Sequence, residues 1–105
     1  MEGERVYPQP RNIVFNAILD IMELQNGKQT FSDSPRGKVH FQISMYGCKW
    51  EVKFSAADTE GGGCAVKLEI GGEAAERKRM LQREFSLLDS ALAAESNVLA
   101  NGKGY

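Results

Sequence analysis

Apolar residues recur at helical spacing in two stretches of the chain and alternate strictly with polar ones in three. After Pro8 and Pro10, the rows Val14, Ile18, Ile21 and Phe15, Ile18, Met22 form a wide apolar face, with Asn16, Asp20, Glu23 and Gln25 opposite. Proline fixes φ and has no N–H to leave unpaired, so a helix can begin at Pro10. Asn26-Gly27 supplies the left-handed stop, and the spacing predicts a helix over Pro10–Asn26. A short strand near Gln29–Ser32 follows, then a turn at Ser34-Pro35-Arg36-Gly37. Three alternating runs come next. Val39, Phe41, Ile43 and Met45 point one way and Lys38, His40, Gln42 and Ser44 the other. Cys48, Trp50, Val52, Phe54 and Ala56 oppose Lys49, Glu51, Lys53 and Ser55. Cys64, Val66, Leu68 and Ile70 oppose Ala65, Lys67 and Glu69. Each is a strand with one buried face. A second helix is expected over Glu73–Ala94, with the stripe Leu81, Phe85, Leu88, Leu92 flanked by Met80, Leu87 and Ala91. Glu4–Tyr7 reads as a short leading strand, which would be a fifth.

The phases of these runs fix some of the pairing. If Tyr46-Gly47 is a two-residue turn, Met45 meets Cys48, Ile43 meets Trp50, Phe41 meets Val52 and Val39 meets Phe54. Both strands then face one core, and a slip of one residue would turn each set outward. Tyr46 is unusual there, because such turns favour Asn, Asp or Gly. The loop from Asp58 to Gly63 leaves the next register open. Opposite charges are expected to choose it, with Phe54 facing Cys64, Glu51 facing Lys67 and Lys49 facing Glu69. The expected fold is a single α+β domain over residues 1–94, an antiparallel four-stranded meander with two helices on one face. Residues 95–105 lack periodicity and read as a flexible tail.

Composition narrows the function classes. The chain has 105 residues, 42% hydrophobic and 26% charged, enough for a core without cross-links. Thirteen basic and 14 acidic residues give a net charge of −1, so no bulk field recruits nucleic acid or an anionic membrane. No stretch approaches the roughly 18–20 apolar residues that span a bilayer. The acidic start shows no export signal. With two cysteines this fits a reducing, cytoplasmic setting. Cys48 and Cys64 are expected to be free buried thiols.

The order leading strand, helix, meander, long helix resembles the small helix-grip domains: one repeat of the TATA-binding-protein fold, or a shortened START or Bet v 1-like domain. The resemblance covers about Glu4 to Ala94 and rests on element order, the Tyr46-Gly47 hairpin and the final helix. A Bet v 1-like relationship implies an apolar ligand held between long helix and sheet. A TATA-binding relationship implies DNA on the open sheet face, through apolar wedges. The expected open face carries Lys38, His40, Gln42, Lys49, Glu51, Lys53, Lys67 and Glu69, with no wedge aromatic and its own acids, which argues against DNA.

Chemistry-bearing motifs are few. His40 has only Lys38, Gln42 and Lys53 near it on the face, and a general base needs an orienting partner. Two thiols and one histidine on the opposite face cannot make a four-ligand zinc site. Gly61-Gly62-Gly63 and Gly71-Gly72 match neither phosphate-loop nor dinucleotide spacing. No catalytic residue, cofactor or metal site is assigned, and an enzyme is the least supported class. The basic run Arg77-Lys78-Arg79 is the least ordinary local feature. Stepping back from Leu81, Arg77 and Lys78 continue the apolar stripe and should reach the rim of a helix–sheet cleft. Two readings follow. One is a non-enzymatic domain that binds a small ligand, such as an amphipathic anion, or a partner in that cleft, with Arg77 and Lys78 above Met80, Leu81 and Trp50. The other is a homodimeric module that pairs through its outer sheet face, at His40, Gln42, Lys49, Glu51 and Lys67, or through an edge strand.

Overall fold

A computed structural model describes residues 1–72 and 76–102, with side chains described as far as residue 94. Five strands and two helices follow one another as β1 (Glu2–Tyr7), α1 (Arg11–Leu24), β2 (Lys28–Asp33), a 3-10 turn (Ser34–Arg36), β3 (Lys38–Met45), β4 (Cys48–Asp58), β5 (Cys64–Gly71) and α2 (Arg77–Gly102). The sheet is antiparallel throughout, in the order β1-β5-β4-β3-β2. The leading strand is therefore real and lies at one edge, beside the last strand. β2 lies at the other edge, and α1 spans the sheet between them.

The local signals act as their chemistry requires. Val14 N–H and Ile13 N–H both donate to the Pro10 carbonyl at 3.1 Å, which opens α1. At its end Gly27 N–H reaches the Met22 carbonyl at 2.8 Å and Asn26 N–H the Glu23 carbonyl at 3.0 Å, with Asn26 at φ 55°. This is the Schellman arrangement, and asparagine takes the left-handed position. Tyr46 (φ 54°) and Gly47 (φ 73°) form the tight β3–β4 turn. The register is as the alternation requires: Met45 opposite Cys48, Ile43 opposite Trp50, Phe41 opposite Val52 and Val39 opposite Phe54. Tyr46 bears the left-handed strain under the Arg79 guanidinium, 5.3 Å above its ring.

The β4–β5 register corrects the expectation. Phe54 faces Leu68 rather than Cys64, Lys53 faces Glu69, and Glu51 faces Gly71. β4 runs on to Asp58, and residues 59–63 close the connection tightly through Thr59 N–H to the Gly63 carbonyl and Gly62 N–H to the Thr59 carbonyl. Tight closure shifts the register by four residues, and the apolar pairs Val52–Ile70, Phe54–Leu68 and Ala56–Val66 align. Lys67 then finds its acid on the other side, opposite Glu4 of β1. The presence of β1 makes charge matching on β4 alone a poor guide.

α2 also differs from the expectation. Its expected start at Glu73 lies outside the described residues, as do positions 103–105. Its helical backbone continues past Ala94 to Gly102, because no breaker precedes that glycine. The buried row is Met80, Glu84, Leu88 and Leu92 with Phe85, whereas Leu81 is only half-buried. The core lies between both helices and the inner sheet face, around Trp50, Phe41 and Phe54, with the Phe41 and Phe54 rings 6.1 Å apart.

Candidate functional site

Among the described residues, the helix–sheet interior is lined by buried side chains. Trp50 is 0% exposed, and its indole N–H donates to the Met45 carbonyl at 2.9 Å. Met80 is likewise fully buried. Arg77 donates from Nε to the Gly72 carbonyl at 3.0 Å, which ties the helix start to the end of β5. Lys78 is exposed. Stepping back from Met80 by four and three residues reaches Glu76 and Arg77, not Lys78, so the row is turned by one residue from the expected stripe. The five residues named for a cleft are thus near one end of α2, but Trp50 and Met80 offer no surface there.

One polar group interrupts this interior. Glu84 is 0% exposed. It accepts from Gln25 Nε2 at 2.7 Å and from Arg83 at 3.0 Å, and Arg83 also donates to Gln25 Oε1. Burial pushes the Glu84 carboxyl up, against the opposing pull of Gln25 and Arg83. The cluster locks the C-terminus of α1 to α2. Its sequence signal was the i, i+4 row 80, 84, 88, 92, in which an acid stands among apolar residues; the longer Leu81 stripe hid it. Nearby, Asp89 accepts from the Tyr7 hydroxyl at 2.7 Å and from Arg5, pinning β1 to α2. Burial and then Asp89 raise the Tyr7 hydroxyl far above its ordinary value. These groups are bound to one another and leave no free nucleophile–base pair.

The outer sheet face is different. A depression of about 600 Å³ lies across β1, β5, β4 and β3, floored at Lys53, Ser55, Lys67 and Glu69 and bordered by Glu2 and Glu4 on one side and Lys38 and His40 on the other. Two rows of side chains cross it. Glu2, Glu69, Lys53, His40 and Phe31 stand successively opposite one another, as do Glu4, Lys67, Ser55, Lys38 and Asp33. Of the charges in the depression, none is in an ion pair among the described residues. The His40 ring lies tilted against Phe31 with centroids 4.8 Å apart, and Phe31 keeps 44% exposure. Burial and the charge of Lys53 hold His40 below its ordinary value. Of the residues expected on this face, Lys38, His40, Lys53, Lys67 and Glu69 line the depression, while Gln42, Lys49 and Glu51 lie along the face toward the Tyr46-Gly47 turn. Phe31 was missed because β2 has no alternation to read: five of its six residues are exposed and a bulge breaks it between Gln29 and Phe31.

A second depression, about 430 Å³, runs beside α1 over Phe15 and Leu19 to Gly37. Neither depression touches α2. Among the described residues no three His, Cys, Asp or Glu converge to hold a metal ion, and no helix is long and apolar enough to cross a membrane. Cys48 and Cys64 are free. Cys64 faces Asp58, ten residues along β4 from Cys48, a separation of roughly 33 Å at about 3.3 Å per residue.

Comparison with known proteins places the fold. The crystal structure of Ara h 8.0201 superimposes with a TM-score of 0.68 at 16% identity, over 95% of this chain and 97% of that one. The architecture is accordingly the Bet v 1-like helix-grip fold. No family model matches the sequence, and neither does any curated protein.

Proposed function

We infer that this is a non-enzymatic binding domain that engages a protein partner through its outer sheet face. The observation that carries the reading is the outer depression with its uncommitted charges, set against an interior lined by its own buried side chains. A small ligand under α2 would have to displace Met80 and Trp50, each with no exposed surface. At a rim, by contrast, charges without internal partners are free to recruit a partner and set its orientation. The cleft reading for an amphipathic anion, with Arg77 and Lys78 at its polar end, draws its support from the helix-grip fold. Two free thiols agree with a reducing compartment such as the cytoplasm.

The two surfaces separate in one experiment. Tagged wild-type protein, a Lys38→Gln/Lys53→Gln/Glu69→Gln triple variant and an Arg77→Gln/Lys78→Gln double variant are compared as baits in a cell extract at low salt. A protein enriched by the wild type and by the double variant, but lost by the triple variant, is the expected result. Loss with the double variant alone, or a fatty-acid-dependent rise in melting temperature that the double variant abolishes, would overturn it in favour of the cleft.

A further inference from the structure

The two charged rows have a sign order that runs across the strands. The β1 side is acidic at Glu2 and Glu4, and the β3 side carries the cation Lys38 beside the imidazole of His40. The change of sign in the first row falls between Glu69 of β5 and Lys53 of β4, at the floor of the depression. A third row, nearer the end of β1, is apolar: Val6 faces Ala65, and Ala65 faces Ala57. Val6 is 68% exposed, a large share for a valine on a strand.

The rims of this pattern are self-complementary about one axis only. A two-fold axis along the strands, lying between β4 and β5, exchanges β5 with the partner's β4 and β1 with the partner's β3. It keeps each row on its own counterpart. Glu69 of one copy then meets Lys53 of the other, Glu2 meets His40, Glu4 meets Lys38, and Ala65 meets Ala57. A two-fold across the strands instead lays Glu2 on Glu4, like on like, and leaves Lys38 on His40 with no acid. Face-to-face sheets pack about 10 Å apart, and the facing depressions leave room for bridging water.

Resting on the outer-face reading above, we propose that the partner is a second copy of this chain, joined face to face about that strand-parallel two-fold. The interface is isologous, so each complementary contact occurs twice. The pairing is rim-like and electrostatic, so it is salt-sensitive. Glu4 and Lys38 make the cleanest probes, because two strands separate them within one chain while the axis brings each against the other in its partner.

Sedimentation of the full chain across a concentration series at low and high salt tests this, together with Glu4→Lys and Lys38→Glu. The wild type should dimerise at low salt and dissociate as salt rises. Each single variant places like charges together twice and should weaken the dimer by about tenfold or more. In a 1:1 mixture of the two variants, each substituted position faces an opposite charge again, and the unsubstituted Glu4 and Lys38 still face each other. The mixture should therefore regain dimer. Circular dichroism and melting temperature of each variant confirm that both fold. A wild type that dimerises while the two variants do so equally well, or a mixture that gains nothing over its components, overturns the proposal. So does a wild type monomeric throughout; if the extract comparison still shows a partner lost by the triple variant, the outer-face reading stands and only self-pairing falls.

Discussion

Trp50 and its chain neighbour Glu51 point to opposite faces of β4, and the two environments use their residues in opposite ways. On the inner face, Trp50, Val52, Phe54 and Ala56 are sealed by both helices, and the indole N–H has its acceptor. On the outer face, charged side chains stand opposite one another across strands without closing into ion pairs. Burial of apolar area is where a small domain finds its stability. Exposed charges add little to it and are free to serve recognition. Stability thus rests on one side of the sheet, and on our proposal recognition uses the other, with alternate residues of the same strand assigned to each.

Four substitutions would break or sharpen that division. The largest effect belongs to Trp50→Ala, expected to cost about 3–5 kcal/mol through lost burial and a cavity, while Phe31→Ala on the outer face should cost under about 1 kcal/mol. Urea unfolding of both measures the contrast, and a Trp50→Ala protein with wild-type stability would dissolve it. Next comes Gly72→Ala. A Cβ there would lie 2.5 Å from Cε3 of Trp50, on backbone at φ 148° that side chains rarely adopt. Overpacking of this kind costs about 1–3 kcal/mol. A melting temperature unchanged by the substitution would mean that Trp50 is not held against the end of β5.

The last effect is a slope rather than an offset. The Glu84 carboxyl is raised in the folded state by burial. A group raised on folding contributes most below its unfolded value, and that contribution is lost as pH rises through the folded value. Wild-type stability should therefore fall relative to Glu84→Gln as pH increases from about 4.5 toward neutrality. Paired denaturation curves at several pH values check this. A variant that loses ground as pH rises would mean that Gln25 and Arg83 outweigh the burial of Glu84.

Much of the inner face was legible in the sequence because period-2 alternation and a two-residue turn over-determine where Val39, Phe41, Ile43, Trp50, Val52 and Phe54 go. The β4–β5 register was not, since it depends on how tightly residues 59–63 close and on a third strand that supplies the acid opposite Lys67. Glu84 escaped because a buried acid looks like a surface acid until Gln25, 59 positions away, is brought against it. The outer face was readable as a set of residues but not as a surface. Its sign order exists only when β1, at the start of the chain, is laid beside β5.

That placement of β1 also sets an order of events in folding. β2 to β5 are joined by short connections and can zip up as successive hairpins, each closing a small loop. β1 pairs only with β5, so that Glu2 finds Glu69 across most of the described chain. Its docking carries the largest loop-closure entropy in the sheet and belongs after the meander exists. Interactions made by β1, such as Tyr7 and Arg5 with Asp89, should then act as a latch: their loss speeds unfolding and leaves the folding rate nearly untouched.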